Sequence, residues 1–119
     1  MGLRDLKRRL TASINDLDCE RLQDRFAGLE LTAISDMTCR HPVRVGGEVK
    51  RMRTAPRSGV PALEVVVSDG TGDAVAVFTG RRHIEGIDHH RALVLEGVPY
   101  AERGRKIMLN PAYTLLPHG

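Results

Sequence analysis

The chain has 119 residues, 41% hydrophobic and 28% charged, the balance of one globular domain and not of a disordered or collagen-like chain. No stretch reaches the roughly 20 apolar residues needed to span a bilayer. Lys7-Arg8-Arg9 leads into Thr11-Ala12-Ser13-Ile14-Asn15-Asp16 and not into the apolar run of a secretion signal, so the expected location is cytoplasmic. Cys19 and Cys39 permit one disulfide at most, which fits a reducing compartment. Net charge is +3, and its distribution says more than its size. Between Arg40 and Arg57 stand six basic residues against Glu48 alone, whereas Asn15 to Asp36 holds six acids against two arginines. A basic segment of this kind suits a polyanionic partner.

Leu3, Leu6, Leu10, Ile14 and Leu17 recur every three or four residues and predict an amphipathic N-terminal helix, with Arg4, Lys7 and Arg8 on its other face. Asp18 then stands where it can cap a second short helix, with Leu17 and Leu22 as a hydrophobic staple and Gly28 as its stop. The leucine stripe has two readings: packing on the chain's own β domain, or contact with another protein or another copy. Leu29–Ile34 reads as an extended segment. Pro42 bars a helical conformation at His41 and marks the boundary between a helical extension, 1–41, and a β domain, 42–119.

Val43, Val45 and Val49 alternate across Gly46-Gly47, which predicts a long first strand that bulges or bends at the glycines. Ala55-Pro56-Arg57-Ser58-Gly59-Val60-Pro61 reads as a loop. The runs Leu63–Val67 and Ala74–Phe78, joined by Asp69-Gly70-Thr71-Gly72, predict a hairpin whose glycines supply positive φ. Thr79–Ile87 is a connector with room for a turn or two of helix. Leu93–Val98 and Lys106–Pro111 follow as strands four and five, with Ala101-Glu102-Arg103-Gly104 turning between them.

On these residues the segment from about Val43 to Pro117, two-thirds of the chain, resembles an OB-fold nucleic-acid-binding domain. The resemblance rests on Val43-Arg44-Val45-Gly46-Gly47-Glu48-Val49, Val67-Ser68-Asp69-Gly70-Thr71-Gly72, Leu95-Glu96-Gly97 and Asn110-Pro111-Ala112-Tyr113-Thr114-Leu115-Leu116-Pro117. With the helical N-terminus it is similar to small stand-alone members of that group found in actinobacteria. The expected fold is thus mainly β, a five-stranded Greek-key OB barrel preceded by one or two short helices. The resemblance implies that single-stranded DNA or RNA crosses strands two and three between two flanking loops.

The residues at those places are basic: Lys50, Arg51, Arg53 and Arg57 at the first loop, Arg103, Arg105 and Lys106 at the second, and Arg81 and Arg82 beyond strand three. If Leu63, Val65, Val67, Val75 and Val77 point inward, alternation turns Glu64, Val66, Ala74, Ala76 and Phe78 outward. Phe78 is then the candidate platform for base stacking. The competing readings are a solvated basic surface with Phe78 in the core, and Tyr100 as a packed ring with its hydroxyl in water.

Catalytic and cofactor signatures are lacking. Cys39, His41, His89 and His90 do not have the spacing of zinc ligands. Gly70-Thr71-Gly72 is followed by a strand and by no Lys-Ser or Lys-Thr, so it is a turn and not a P-loop. Ser58, Ser68 and His83 form no nucleophile elbow, and Asp69, Asp73 and Asp88 have no metal-loop spacing. The expected protein is non-enzymatic and needs no metal or cofactor: a binder of single-stranded nucleic acid with low sequence preference. The alternative is a protein-interaction module that docks on a nucleic-acid-processing assembly, for instance through the N-terminal helix.

Overall fold

The computed structural model describes residues 29–117. The two N-terminal helices and the Leu3–Leu17 stripe expected from the sequence lie outside the described residues. Within them the backbone forms a 3-10 turn, Ile34–Asp36, and seven strands: β1 Val43–Arg57, β2 Val60–Ser68, β3 Asp73–Thr79, β4 Ala92–Gly97, β5 Pro99–Glu102, β6 Arg105–Leu109 and β7 Ala112–Leu115. They make one sheet in the order β5-β6-β3-β2-β1-β4-β7, antiparallel except where β3 runs parallel to β6. β4 and β5 are separated only by Val98, yet β5 is first in that order and β4 next to last, so the sheet must curl to bring its two ends towards each other. The result is barrel-like but not closed by hydrogen bonding.

This corrects the expected five-stranded barrel: the described residues form seven strands. No α-helix occurs among the described residues. The expected fourth strand breaks at Val98-Pro99, because Pro99 has no N–H for a continuous ladder; β4 pairs with β1 and β5 pairs with β6. The C-terminal segment expected to end the barrel instead adds β7, which pairs antiparallel with β4 from Leu93↔Leu115 to Glu96↔Ala112. The connector after β3 holds no helix; its Ile84 and Ile87 are buried in the main core.

Two features of β1 set the faces of the sheet. At Gly47 a Cβ would stand 2.8 Å from the Ser68 carbonyl oxygen, so only glycine lets the two backbones approach where β1 passes from β4 to β2. The register shift expected at Gly46-Gly47 falls instead at Lys50, the extra residue between Val49↔Val67 and Arg51↔Val66. One inserted residue inverts the alternation. Val45 and Val49 therefore face the core ahead of the bulge, Met52 does so after it, and Arg51, Arg53 and Arg57 turn to the opposite face.

The loops are shorter than the sequence suggests. β1 and β2 run through Pro56 and Pro61, which sit opposite each other one step behind a two-residue turn, Ser58 (φ 50°) and Gly59 (φ 78°). Alternation of the antiparallel ladder makes that a pair without mutual hydrogen bonds, where the missing N–H groups cost little. Arg103 (φ 51°) and Gly104 (φ 76°) make the matching turn between β5 and β6. Positive φ at both central residues is the geometry that follows strand twist.

The main core combines Leu63, Val65 and Val67 of β2 with Ala74, Ala76 and Phe78 of β3, Leu93 and Leu95 of β4, Met108 of β6, and Ile34 and Met37. The 34–36 turn is tied to the β2–β3 loop: Asp69 Oδ1 accepts from Thr71 N–H at 2.8 Å, while Oδ2 accepts from Ile34 N–H at 2.9 Å. Of the two loop glycines, only Gly70 takes a positive φ (88°). Gly72 lies beside Ile34 and Ser35, where a Cβ would make ordinary contacts of 3.5 and 3.6 Å.

Candidate nucleic-acid interface

The β2–β3 register overturns one face assignment. Ser68 pairs with Asp73, so odd positions of β2 share a face with even positions of β3: Leu63 with Phe78, Val65 with Ala76, Val67 with Ala74. Glu64 and Val66 do face outward, but with Val77 and Val75. Phe78 is 6% exposed, inside the core, with its ring 5.6 Å edge-on from that of Tyr113. The stacking platform expected at Phe78 is therefore a core ring.

The outer face is built from Arg51, Arg53 and Arg57 of β1, Ala62, Glu64 and Val66 of β2, Val75 and Val77 of β3, Ile107 of β6 and Tyr100 of β5. Ala62, Val75, Val77 and Ile107 are buried in a second apolar cluster against Val66 and Tyr100. β1 and β5 stand four places apart in the sheet order, about 19 Å if the sheet were flat at about 4.8 Å per strand. Yet Arg57 Nη2 donates to Glu102 Oε1 at 3.1 Å and to the Tyr100 hydroxyl. That contact requires the face to be rolled into a groove, with the β1–β2 tip and the β5–β6 hairpin as its walls and the Arg57–Glu102 pair as a bridge between them. Tyr100 thus gives its hydroxyl to Arg57 and not to water alone. The Glu102 carboxylate, through hydrogen bond and charge, with Tyr100 and Glu64 adding to it, raises the Arg57 guanidinium above its ordinary value.

In mid-groove lies Glu64, its side chain 8% exposed, accepting from Arg53 Nε through Oε2 and lying 3.6 Å from Arg105 Nη2 through Oε1. Burial pushes its carboxyl up, but the hydrogen bond and charge of Arg53, with Arg105 adding to them, outweigh burial and hold it below the usual carboxylate value. Glu64 is therefore ionised at neutral pH. Two hollows lie along the groove, the first of them against Glu64. One, of about 400 Å³, is lined by Arg51, Met52, Arg53, Glu64, Val66, His89 and Arg105; the other, of about 380 Å³, shares Arg51, Val66 and Arg105 and runs towards Ile34 and Ser35.

The basic residues singled out by sequence take up different places. Arg51, Arg53 and Arg105 converge on the groove, and Arg51 has no acidic partner among the described residues. Arg57 and Lys50 are paired at exposed or half-buried sites, Arg57 with Glu102 and Lys50 with Asp73 at 3.2 Å. Lys106 borders the second hollow but serves as a strut: Nζ donates to the carbonyls of Ile34 (3.3 Å) and Met37 (3.1 Å). Arg103 is exposed on the β5–β6 tip. Arg81 and Arg82 are exposed in the connector, whose Arg82 carbonyl accepts from Thr54 Oγ1 on the core-facing side of the β1–β2 ribbon, away from the groove. His89, weighed in the sequence only as a zinc ligand and lacking the spacing for one, lines the groove. Among the described residues no group of three or more His, Cys, Asp or Glu is placed to hold a metal ion. No helix of the described residues is long and apolar enough to cross a membrane.

The geometry defines the class: a curled, mainly β sheet with an arginine-lined groove over its second and third strands. No family model matches the chain, and no curated protein does. Among solved structures it is similar to one described as "Structure and Conformational Change of a Replication Protein A Heterotrimer Bound to ssDNA", with a TM-score of 0.49 and 13% identity over 65% of this chain. The match spans 58% of that chain's length.

Proposed function

We propose that the groove binds single-stranded nucleic acid, without catalysis and chiefly through charge. The observation that carries this reading is the convergence of Arg51, Arg53 and Arg105 on one groove across β2 and β3, with no ion pair to Arg51 among the described residues. Its position supports the reading as well, since OB-folds take oligonucleotides across the same two strands between the same two hairpins. With Phe78 in the core, bases stack on guanidinium planes, which serve single strands as aromatic rings do. Duplex is a poor fit, because the bridge from Arg57 to Glu102 narrows the groove.

Fluorescence anisotropy with single-stranded DNA, single-stranded RNA and duplex at two salt concentrations tests it. Single strands should bind with a log–log salt slope of about −0.7 per phosphate contacted, and Arg51→Ala should weaken every sequence alike and lower the slope by about 0.7. Absence of binding at low salt, or binding indifferent to salt, would overturn the proposal.

A second reading, docking on a protein partner, is favoured by Val98 and Leu109. Val98 precedes Pro99 and Leu109 follows Met108 of the last β5–β6 pair, Pro99↔Met108, and they are 51% and 47% exposed. A nuclease-treated pull-down that Val98→Ser and Leu109→Ser deplete of a stoichiometric partner would favour it.

A further inference from the structure

We infer that Glu64 makes this groove prefer bases that present an exocyclic amino group, cytosine above thymine or uracil. The inference rests on the groove being the nucleic-acid site. A carboxylate is out of place in a surface that receives phosphates, and here it is the acid, not its partners, that is buried: Glu64 is 8% exposed, Arg53 67% and Arg105 39%. Both arginines are solvated without it. The residues around Glu64 on the same floor are Ala62, Val66, Val75 and Val77, so an apolar side chain there would complete a continuous surface at no desolvation cost. A retained, ionised carboxylate is therefore unexplained by packing or by the needs of its partners.

Its acceptor capacity points to a ligand. Oε2 is taken by Arg53, and among the described residues Oε1 has the Arg105 ion pair alone, at 3.6 Å, longer than a hydrogen bond. A carboxylate offers about four lone-pair sites, so Oε1 keeps room to accept within a hollow of about 400 Å³. Val66 and Met52 supply apolar contact for a base, and Arg51 and Arg105 supply guanidinium faces and charge for the adjoining phosphates. Cytosine directs its N4 amino donors to such an acceptor. Thymine and uracil flank their lone N3–H with two carbonyl oxygens that an anionic carboxylate repels. Low sequence preference along the strand is then compatible with one position that reads a base.

The test is anisotropy with oligo-dC and oligo-dT of equal length, about 15 nucleotides, at one low salt concentration. Wild-type protein should bind oligo-dC about tenfold more tightly, and Glu64→Gln should bring the two within about twofold. Because Glu64→Gln removes a buried ion pair and could impair folding, oligo-N4,N4-dimethyl-dC on the wild-type protein provides an independent arm. It should fall to the level of oligo-dT. If wild type binds oligo-dC and oligo-dT equally, or if a folded Glu64→Gln keeps the preference, or if the dimethylated oligomer binds like oligo-dC, the inference is overturned while the proposed function stands. If no oligomer binds, the proposed function itself fails.

Discussion

Phe78 and Glu64 show how one position of register separates a core residue from a groove residue. Their faces were expected to be the same; the odd sum of paired residue numbers, fixed by Ser68↔Asp73, puts them on opposite sides of the sheet. Phe78→Ala should accordingly cost about 3–5 kcal/mol of folding stability, as truncations of buried rings do, while the folded fraction keeps its affinity for oligonucleotide. Denaturant titration and anisotropy on the same preparation separate the two effects, and a variant of normal stability with lost affinity would return Phe78 to the ligand. Lys106 carries the same lesson: as a sequence position it belongs to the basic surface, but its amine is spent on the Ile34 and Met37 carbonyls.

At the scale of elements, β1 does the arranging. It pairs with β4 over Val43–Glu48 and with β2 over Glu48–Arg57, and the change of partner is possible because Gly47 brings the backbones together and Lys50 absorbs one residue. Gly47→Ala would set a Cβ 2.8 Å from a backbone oxygen that cannot swing aside. The expected loss is about 1–3 kcal/mol, read as a lowered Tm, and an unchanged Tm would mean that the strands separate without penalty at this crossing. The strands themselves were largely legible: β2, β3, β4 and β6 fall on the apolar runs of the sequence. The hairpin tips were not, because Pro56 and Pro61 read as loop residues until their mutual pairing shows that they occupy a rung needing no N–H.

For the whole molecule, what matters is the curl that brings Arg57 of β1 across to Glu102 and Tyr100 of β5. The bridge crosses the proposed binding groove, and it holds an arginine by an acid that a phosphate would displace. Glu102→Gln should therefore release Arg57 and remove a negative charge, tightening single-strand binding about two- to threefold and steepening the salt slope by up to about 0.7. Stability should change by less than about 1 kcal/mol, as for other incompletely buried pairs. Weaker binding by a variant that melts like wild type would show that the bridge shapes the groove and does not obstruct it.

Residue order alone determined the apolar runs that become strands, the basic excess between Arg40 and Arg57, and the turn chemistry of Asp69-Gly70-Thr71-Gly72, because these depend on side-chain type and near neighbours. Tertiary structure decided which way the side chains point and which charges remain available. The Lys50 bulge depends on where β1 leaves one partner strand for another, the β2–β3 register on an Asp69 that also holds Ile34, and the pairing of Arg57 with Glu102 on a curl that joins residues 45 positions apart. Local sequence carries none of these distances, and a single residue of slip exchanges the core face for the groove.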